Sequence, residues 1–137
     1  MLKKFFIVFL AFICLLSTGV INKTPIFKNY SKNYELYLGQ SSSNAQIVHA
    51  SEKTFLFTQE IFGESFKCEK NEFNLQDFFD SFNARLIKIE RVGETVSYYA
   101  YSPKIKYRAH IFGQVVNLHV AVDKQVTVGS PLIYGSF

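Results

Sequence analysis

The thiol of Cys68 is the first side chain to consider for chemistry, since a thiol hydrolase needs a cysteine nucleophile beside a histidine base. Three histidines could act as that base: His49, His110 and His119. No spacing in the sequence brings any of them to Cys68. Its neighbours Glu69 and Lys70 are typical of an exposed strand, so we interpret Cys68 as a residue without a catalytic role.

Metal binding and glycan hydrolysis also have candidate residues. His110 and His119 could bind zinc with a carboxylate, but no fixed ligand spacing accompanies them. Paired carboxylates for glycan hydrolysis could come from an acidic stretch: Glu60, Glu64, Glu69, Glu72, Asp77 and Asp80. A solvated acidic surface explains this stretch more simply. Phosphate-loop, CxxC, HExxH and GxSxG patterns do not occur, so we predict no catalytic residue, metal site or cofactor.

Charge is segregated along the chain. Residues 52–80 carry seven acids and three bases, whereas residues 84–124 carry seven bases and three acids. The basic half predicts a ligand-binding sheet face made of Lys104, Lys106, Arg108 and His119 with Tyr99 and Tyr101 nearby. Such a face suits a polyanion, for example teichoic acid, a glycan or a lipid headgroup. In the alternative interpretation, these lysines only keep an exposed sheet face soluble and unpaired.

The apolar C-terminus is a second candidate surface, predicted to bind a partner protein. Its side chains are Leu132, Ile133, Tyr134 and Phe137. A terminus of this kind either completes the edge of a sheet or is offered to a partner by strand addition. In a chain of this size we favour completion of the sheet.

A short helix is predicted after Asn74, which is a suitable N-cap, with Asp77 at the capping-box position. Apolar side chains fall on one face of this helix: Leu75, Phe78, Phe79 and Phe82. Asn83 suits the end of the helix. So few residues are not helical in isolation, so the aromatic face must pack against a sheet.

Strands dominate the remainder. Residues 85–92 and 95–102 flank Gly93 and Glu94, which predicts a hairpin that pairs Ile89 with Tyr98 and Ile87 with Ala100. A second hairpin is predicted for residues 104–112 and 115–122 around a Gly113-Gln114 loop. Its register would pair Ile111 with Val116, Ala109 with Leu118, Tyr107 with Val120 and Ile105 with Val122.

The first and last parts of the domain have weaker patterns. Residues 34–38 predict a strand and residues 39–44 a turn, while residues 45–49 and 54–57 fit a hairpin, although residues 55–62 also fit a helix. Pro131 within residues 125–137 indicates an edge strand or a break. The predicted class is therefore α+β, an antiparallel sheet of about five to seven strands with one short helix on one face.

The N-terminus has the layout of a signal peptide or membrane anchor. Lys3 and Lys4 precede the apolar run 5–16, and Ser17 and Gly19 supply the small side chains that a signal peptidase requires. Residues 5–21 form an uncharged, hydrophobic helix candidate at the lower limit of about 17 residues for a membrane span. We expect residues 1–21 to direct export, 22–33 to be a linker and 34–137 to fold as an extracytoplasmic domain.

Composition agrees with one folded domain. The chain has 137 residues, 15 of them Phe and 8 Tyr, which excludes a disordered chain, and its length excludes a multidomain enzyme. Cys14 lies in the N-terminal apolar run, so the exported part keeps Cys68 alone and has no disulfide framework.

Three segments carry a resemblance to a known family: YYAYSP (98–103), VVNLHVA (115–121) and VGSPLIYGSF (128–137). In these segments the chain resembles the small exported YwmB-like proteins of spore-forming bacteria, over residues 64–137. The resemblance implies a fold like that of the TATA-box-binding protein, here as a single sheet-and-helix repeat because the chain is too short for two. It also implies an envelope or sporulation-linked role, with no known catalytic residues. It does not imply DNA binding, and we expect no nucleic-acid partner because an exported domain does not meet promoters.

These observations predict a non-catalytic binding or accessory module of the cell envelope, either secreted or on the outer face of the cytoplasmic membrane. Its expected partner is an envelope protein or an anionic cell-wall polymer. Residues 5–21 would contact the membrane if they are not cleaved. Two alternatives stay open: polyanion binding through the basic sheet face, and a small envelope hydrolase that uses Cys68 and a histidine.

Overall fold

The structure, a computed structural model, describes residues 1–4, 6–10, 25–31, 33–39, 46–50 and 60–135. Residues 2–4 and 6–10 are helical. Within the described ranges, no helix has the length and apolar character needed to cross a membrane. The rest of the predicted signal or anchor segment, residue 5 and residues 11–21, lies outside these ranges.

The described chain forms a large antiparallel sheet, a separate small hairpin and one α-helix. In chain order the elements are β1 (Tyr34–Tyr37), β2 (Ile47–Ala50), β3 (Gly63–Glu69), a 3-10 turn (Lys70–Glu72), α1 (Leu75–Ser81), β4 (Arg85–Val92), β5 (Thr95–Tyr101), β6 (Ala109–Ile111), β7 (Gln114–Val116), β8 (Leu118–Val122) and β9 (Gln125–Ser130). The large sheet has seven strands in the order β2-β1-β3-β9-β8-β5-β4, and β6 pairs with β7. This architecture confirms the predicted α+β class.

One face of the large sheet, called the core face here, packs against α1. Phe66 of β3, Val128 of β9 and Val120 of β8 are paired across the strands and buried on this face. The helix contributes the buried rings of Phe78 and Phe79, and its C-cap residue Phe82 adds a third. The opposite side of the sheet is called the outer face.

The helix agrees with its sequence prediction. The Asn74 side chain accepts a hydrogen bond from the Asp77 backbone N–H at 2.9 Å, which satisfies one of the free donors of the first turn. Asn83 takes a left-handed conformation (φ 49°) directly after the C-cap residue Phe82, as a terminating Asn can. The aromatic stripe is part of the core, as predicted.

The β4–β5 hairpin is confirmed near its loop and differs at its far end. Val92 pairs with Thr95 around Gly93 and Glu94, and Ile89 pairs with Tyr98. A bulge between Leu86 and Lys88 then shifts the register, so that Leu86 rather than Ile87 pairs with Ala100. The extra residue of a bulge has no partner of its own, which is why strict alternation failed there.

The predicted second hairpin is wrong in register and in extent. Its loop consists of Phe112 and Gly113, both at positive φ (54° and 68°), and Val116 pairs with Ala109 instead of Ile111. Residues 104–108 form a loop instead of continuing the strand. β8 pairs with β5 and β9, and Asn117 separates β8 from β7.

The first part of the domain is more closely packed than the sequence indicated. Residues 25–31 fall in the predicted linker, yet Phe27 is fully buried within the core cluster. β2 pairs with β1 through Val48 and Leu36, among other residues. The predicted partner segment 54–57 lies outside the described residues, as does most of the turn at 39–44.

The last strand is central, not at an edge. β9 lies between β3 and β8, because both of its sides are paired. The strand ends at Ser130, so the break predicted at Pro131 is confirmed and the edge position is wrong. The following residues, 131–135, cross the outer face and are called the C-terminal strap here. Phe137 lies outside the described residues.

Candidate binding site

Three of the predicted ligand-binding side chains extend from one segment, residues 102–108, called the basic loop here. Lys104, Lys106 and Arg108 alternate along it and are exposed, whereas Ile105 and Tyr107 between them are buried in the core. Charged and apolar side chains do alternate between solvent and core, as the sequence pattern indicated, but the segment is a loop and not a strand. Its apolar side chains anchor the segment and its cations face solvent.

Asn117 fixes the start of the basic loop. Its side-chain oxygen accepts the Ser102 N–H at 2.7 Å, and its amide nitrogen donates to the carbonyls of Ser102 at 2.7 Å and Ile105 at 3.1 Å. Asn117 is completely buried, so water cannot replace these bonds. One side chain thus satisfies three backbone groups of the loop. Asn117 is the residue between β7 and β8, so the interruption of the strand coincides with the residue that holds the loop.

Glu64 fixes the other end of the loop through Tyr107, whose hydroxyl donates to the carboxylate at 2.8 Å. The same carboxylate accepts the backbone N–H groups of Ile26 at 2.9 Å and Phe27 at 3.1 Å. Burial raises the pKa of Glu64, and the three hydrogen bonds oppose that shift by stabilising the anion. Burial beside Glu64 also raises the pKa of Tyr107, so its hydroxyl keeps the proton that it donates.

The three cations of the loop contact neutral groups. The ammonium of Lys104 donates to the Ser81 carbonyl at 3.1 Å, at the end of α1. The guanidinium of Arg108 donates to the Tyr101 hydroxyl at 3.1 Å and lies 5.5 Å from the centre of that ring. The ammonium of Lys106 lies 5.5 Å from the centre of the Tyr107 ring. Within the described ranges, no carboxylate forms an ion pair with Lys104 or Arg108.

The basic loop lies beside the point where the chain enters the domain. Residues 26–30 form a turn, and the Tyr30 hydroxyl is 2.8 Å from the Ser81 hydroxyl. Ser81 also accepts the hydrogen bond from Lys104 through its carbonyl. The exposed Lys28 belongs to the same turn. The N-terminal segment therefore joins the domain on the side that carries the basic loop.

Sequence reasoning missed one cation of this region, Arg85. It is exposed at the start of β4 and is the cross-strand partner of Tyr101, the residue that holds Arg108. The signal was present, because a hairpin around Gly93-Glu94 places residue 85 close to residue 101. It also missed Glu64, because the acidic stretch predicts a solvated carboxylate at this position and the structure shows a fully buried one.

The two remaining predicted ligand residues, Tyr99 and His119, lie together on the outer face. Their rings stack with centroids 4.4 Å apart, and Phe112 of the β6–β7 loop meets Tyr99 edge-on at 5.0 Å. We call these three residues the His119 cluster. His119 is 4% exposed, so it cannot share a solvated cationic face with Lys104 and Arg108. The prediction that these side chains form one face is therefore wrong.

His119 is neutral because of its surroundings. Burial lowers its pKa to about 4, although the negative charge of Glu90 acts in the opposite direction. Its Nδ1 accepts the Ile133 backbone N–H at 3.3 Å, and Nε2 lies 3.2 Å from the Ser97 hydroxyl. An Nδ1 that accepts a hydrogen bond carries no proton, so the assigned tautomer has its proton on Nε2.

The predicted partner-binding tail instead forms the C-terminal strap. Tyr134 is buried and stacks on Tyr37 with centroids 4.4 Å apart. The strap passes so close to Gly129 that an added Cβ there would lie 2.6 Å from the Leu132 carbonyl oxygen. Leu132 and Ile133 are half-buried. The described part of the tail thus covers the chain's own sheet.

The arrangement for a thiol hydrolase is not formed with two of the three histidines. Cys68 pairs with Val126 on the core face, whereas His49 and His119 lie on the outer face. Burial and the nearby Glu72 and Glu69 raise the pKa of the Cys68 thiol, the opposite of what a nucleophile needs.

Among the described residues, no group of three or more His, Cys, Asp or Glu side chains could hold a metal ion. His110 is exposed on the small hairpin.

Comparisons of this chain with protein-family models, with curated proteins and with solved structures gave no match.

Proposed function

We propose that this chain is a non-catalytic, extracytoplasmic binding module that holds a phosphate-rich polyanion of the cell envelope with its basic loop. This proposal rests on one observation: buried side chains hold the basic loop in place while its cations face solvent. Asn117 forms buried hydrogen bonds with the backbone of the loop, and Glu64 accepts one from the Tyr107 hydroxyl. The alternate side chains Lys104, Lys106 and Arg108 are exposed cations.

A fixed loop lowers the cost of binding, because little backbone freedom is lost when the ligand arrives. The contacts of Lys104 and Arg108 with neutral oxygen atoms leave their positive charge available to an anion. Arginine in particular can form two parallel hydrogen bonds to one phosphate group. Arg85 adds an exposed cation at the strand position paired with Tyr101, the residue that contacts Arg108.

The position of the loop supports a ligand at or near a membrane. Export is predicted from Lys3, Lys4 and the apolar residues that follow, and the chain enters the domain beside the basic loop through the Tyr30–Ser81 contact. An N-terminal anchor would hold this side of the domain towards the membrane surface. Lipid headgroups and wall polymers there share phosphate chemistry. The resemblance to the YwmB-like proteins supports an envelope role linked to sporulation.

Co-sedimentation of residues 22–137 tests this proposal, with phosphatidylglycerol liposomes in one arm and purified cell walls in the other. The test variant reverses the loop charges (Lys104→Glu, Lys106→Glu, Arg108→Glu). The matched control reverses three exposed lysines elsewhere, Lys67, Lys70 and Lys124, and changes the net charge equally. We expect binding that weakens with salt, is lost in the loop variant and persists in the control.

Equal loss in both variants would mean that net charge, not the loop, attracts the ligand, and would contradict the proposal. Absence of binding to liposomes and to walls would contradict it as well. If only one arm binds, that arm identifies the source of the phosphate. Circular dichroism of both variants checks that each is folded.

A further inference from the structure

β4 is a long edge strand of the large sheet. It pairs with β5 on one side, and in the described part of the chain no strand pairs with its other side. At eight residues it is twice as long as β2 at the opposite edge. An edge strand presents unpaired N–H and C=O groups, so it is a template for a further strand.

The side chains of β4 are more exposed than those of other strands. Three apolar residues stand out: Leu86 is 43% exposed, Ile89 52% and Val92 78%. Ile89 lies on the core face opposite Tyr98, at the margin of the sheet. The centre of the strand thus exposes apolar surface beside an open hydrogen-bonding edge.

The charges of β4 favour antiparallel pairing with a second copy of the same strand. Lys88 and Glu90 face the same side of the sheet, and their side chains form an ion pair at 2.8 Å. If a second β4 runs antiparallel with Ile89 opposite Ile89, then Lys88 of each copy lies opposite Glu90 of the other. Two cross-strand ion pairs then flank one apolar pair. Moving the copies by two residues would put Glu90 opposite Glu90, which is unfavourable.

We propose that two copies of this chain associate through their β4 strands, antiparallel and centred on Ile89, to form one continuous sheet. Residues 91 and 92 of one copy would face residues 87 and 86 of the other, where the strand bulges, so regular pairing is confined to residues 88–90 of each copy. Such an edge contact is smaller than the roughly 1,600 Å² of a standard interface. The dimer is therefore weak, and we expect it to form where the protein is concentrated.

Oxidative crosslinking of the full-length chain, expressed in cells and assayed in its native location, tests the register. In a background with Cys14→Ser and Cys68→Ser, Ile89→Cys should give a disulfide-linked dimer on a non-reducing gel. Lys88→Cys and Glu90→Cys should crosslink strongly only when the two variants are co-expressed. Thr95→Cys, on the inner partner strand, is the control and should stay monomeric. Crosslinking that is equal at all four positions would overturn the proposed register.

Charge exchange tests the same interface in a way that does not depend on new cysteines at positions 88 and 90. Glu90→Lys places two lysine side chains opposite each other across the dimer, so crosslinking through Ile89→Cys should fall at least fivefold. Adding Lys88→Glu restores opposite charges across the interface and should restore the crosslink. If the single and double variants crosslink equally, the paired strands are not β4 in this register. The thermal stability of each variant shows whether the fold is retained.

Discussion

The basic loop and the His119 cluster contain the same kinds of residues but differ in which side chains are exposed to solvent. Both combine cationic or titratable side chains with tyrosine, and both come from the basic half of the chain. In the loop, the apolar residues Ile105 and Tyr107 are buried and the charged residues face solvent. In the His119 cluster the imidazole itself is buried, stacked on Tyr99. Charge in the sequence therefore identifies a surface only after register and burial are known.

Buried hydrogen bonding explains the difference. Asn117 uses its side chain to hold the basic loop, and from the next residue onward the strand lies in the large sheet, where His119 is placed between Tyr99 and the C-terminal strap. One residue thus separates the anchor of the exposed site from the buried cluster. Substitutions in either region test this explanation.

Asn117→Ala should have the largest effect. It removes three side-chain hydrogen bonds and leaves the Ser102 N–H and two carbonyls without these partners in a buried site. We expect a loss of about 4 kcal/mol in the free energy of unfolding, measured by urea denaturation. Asn71→Ala, at an exposed position, is the control and should change stability by less than about 0.5 kcal/mol. A similar small change in Asn117→Ala would show that the loop does not depend on this anchor.

His119 should make stability depend on pH. Its pKa in the folded protein is about 4, below the ordinary value of 6.5, so the unfolded chain takes up the proton first as pH falls. Stability is therefore lost between pH 6.5 and pH 4, by about 3 kcal/mol in total. His119→Asn, whose oxygen can accept the Ile133 N–H, should remove this part of the dependence although it is less stable at pH 7.

The quantity to compare is the difference in unfolding free energy between the wild type and His119→Asn at each pH. Burial raises the pKa of Glu64, so that group acts in the opposite direction, and its stabilising contribution is lost as pH rises through the raised pKa. Glu64 is present in both proteins, so its effect cancels in the difference. A difference that does not vary from pH 7 to pH 4 would contradict the buried, neutral His119.

Tyr101→Phe should have the smallest effect. It removes the hydroxyl that accepts from Arg108 but keeps the ring beside the guanidinium. Because this contact is exposed, we expect unchanged stability and a change in liposome affinity of less than about fivefold. A titration with phosphatidylglycerol liposomes measures it, with Tyr98→Phe, on the core face, as the matched control. A loss as large as that of the charge reversal would mean that Tyr101 itself binds the ligand.

Short sequence motifs correctly predicted the elements that depend on neighbouring residues, such as a helix start and a hairpin turn. Asn74 and Asp77 predicted the start of α1, and Gly93-Glu94 predicted the β4–β5 loop, because capping and turn formation depend on nearby residues. The pairing of β6 with β7 could not be chosen in this way. The predicted and observed registers differ by two residues, and a shift of two keeps every side chain on the same face. Alternation of apolar residues is therefore equally compatible with both.

The candidate site was predicted in part. Lys104, Lys106 and Arg108 are exposed on one segment with Tyr101 beside it, as the charge pattern suggested. The burial of His119 and Glu64 depends on partners far along the chain, Ile133 and Phe27, and no local pattern reports such contacts. The central position of β9 was not predictable for the same reason, because it depends on pairing with β3 and β8 and not on nearby residues.

Lysine footprinting would show which cations of the domain the polyanion covers. Residues 22–137 would be acetylated with and without phosphatidylglycerol liposomes or purified walls, and the modification of each lysine read by mass spectrometry. If the basic loop holds the polyanion, acetylation of Lys104 and Lys106 should fall at least threefold on binding, while Lys67, Lys70 and Lys124 stay unchanged. Protection of Lys67 or Lys124 with no change at Lys104 would place the ligand elsewhere and rule out the basic loop as the binding site.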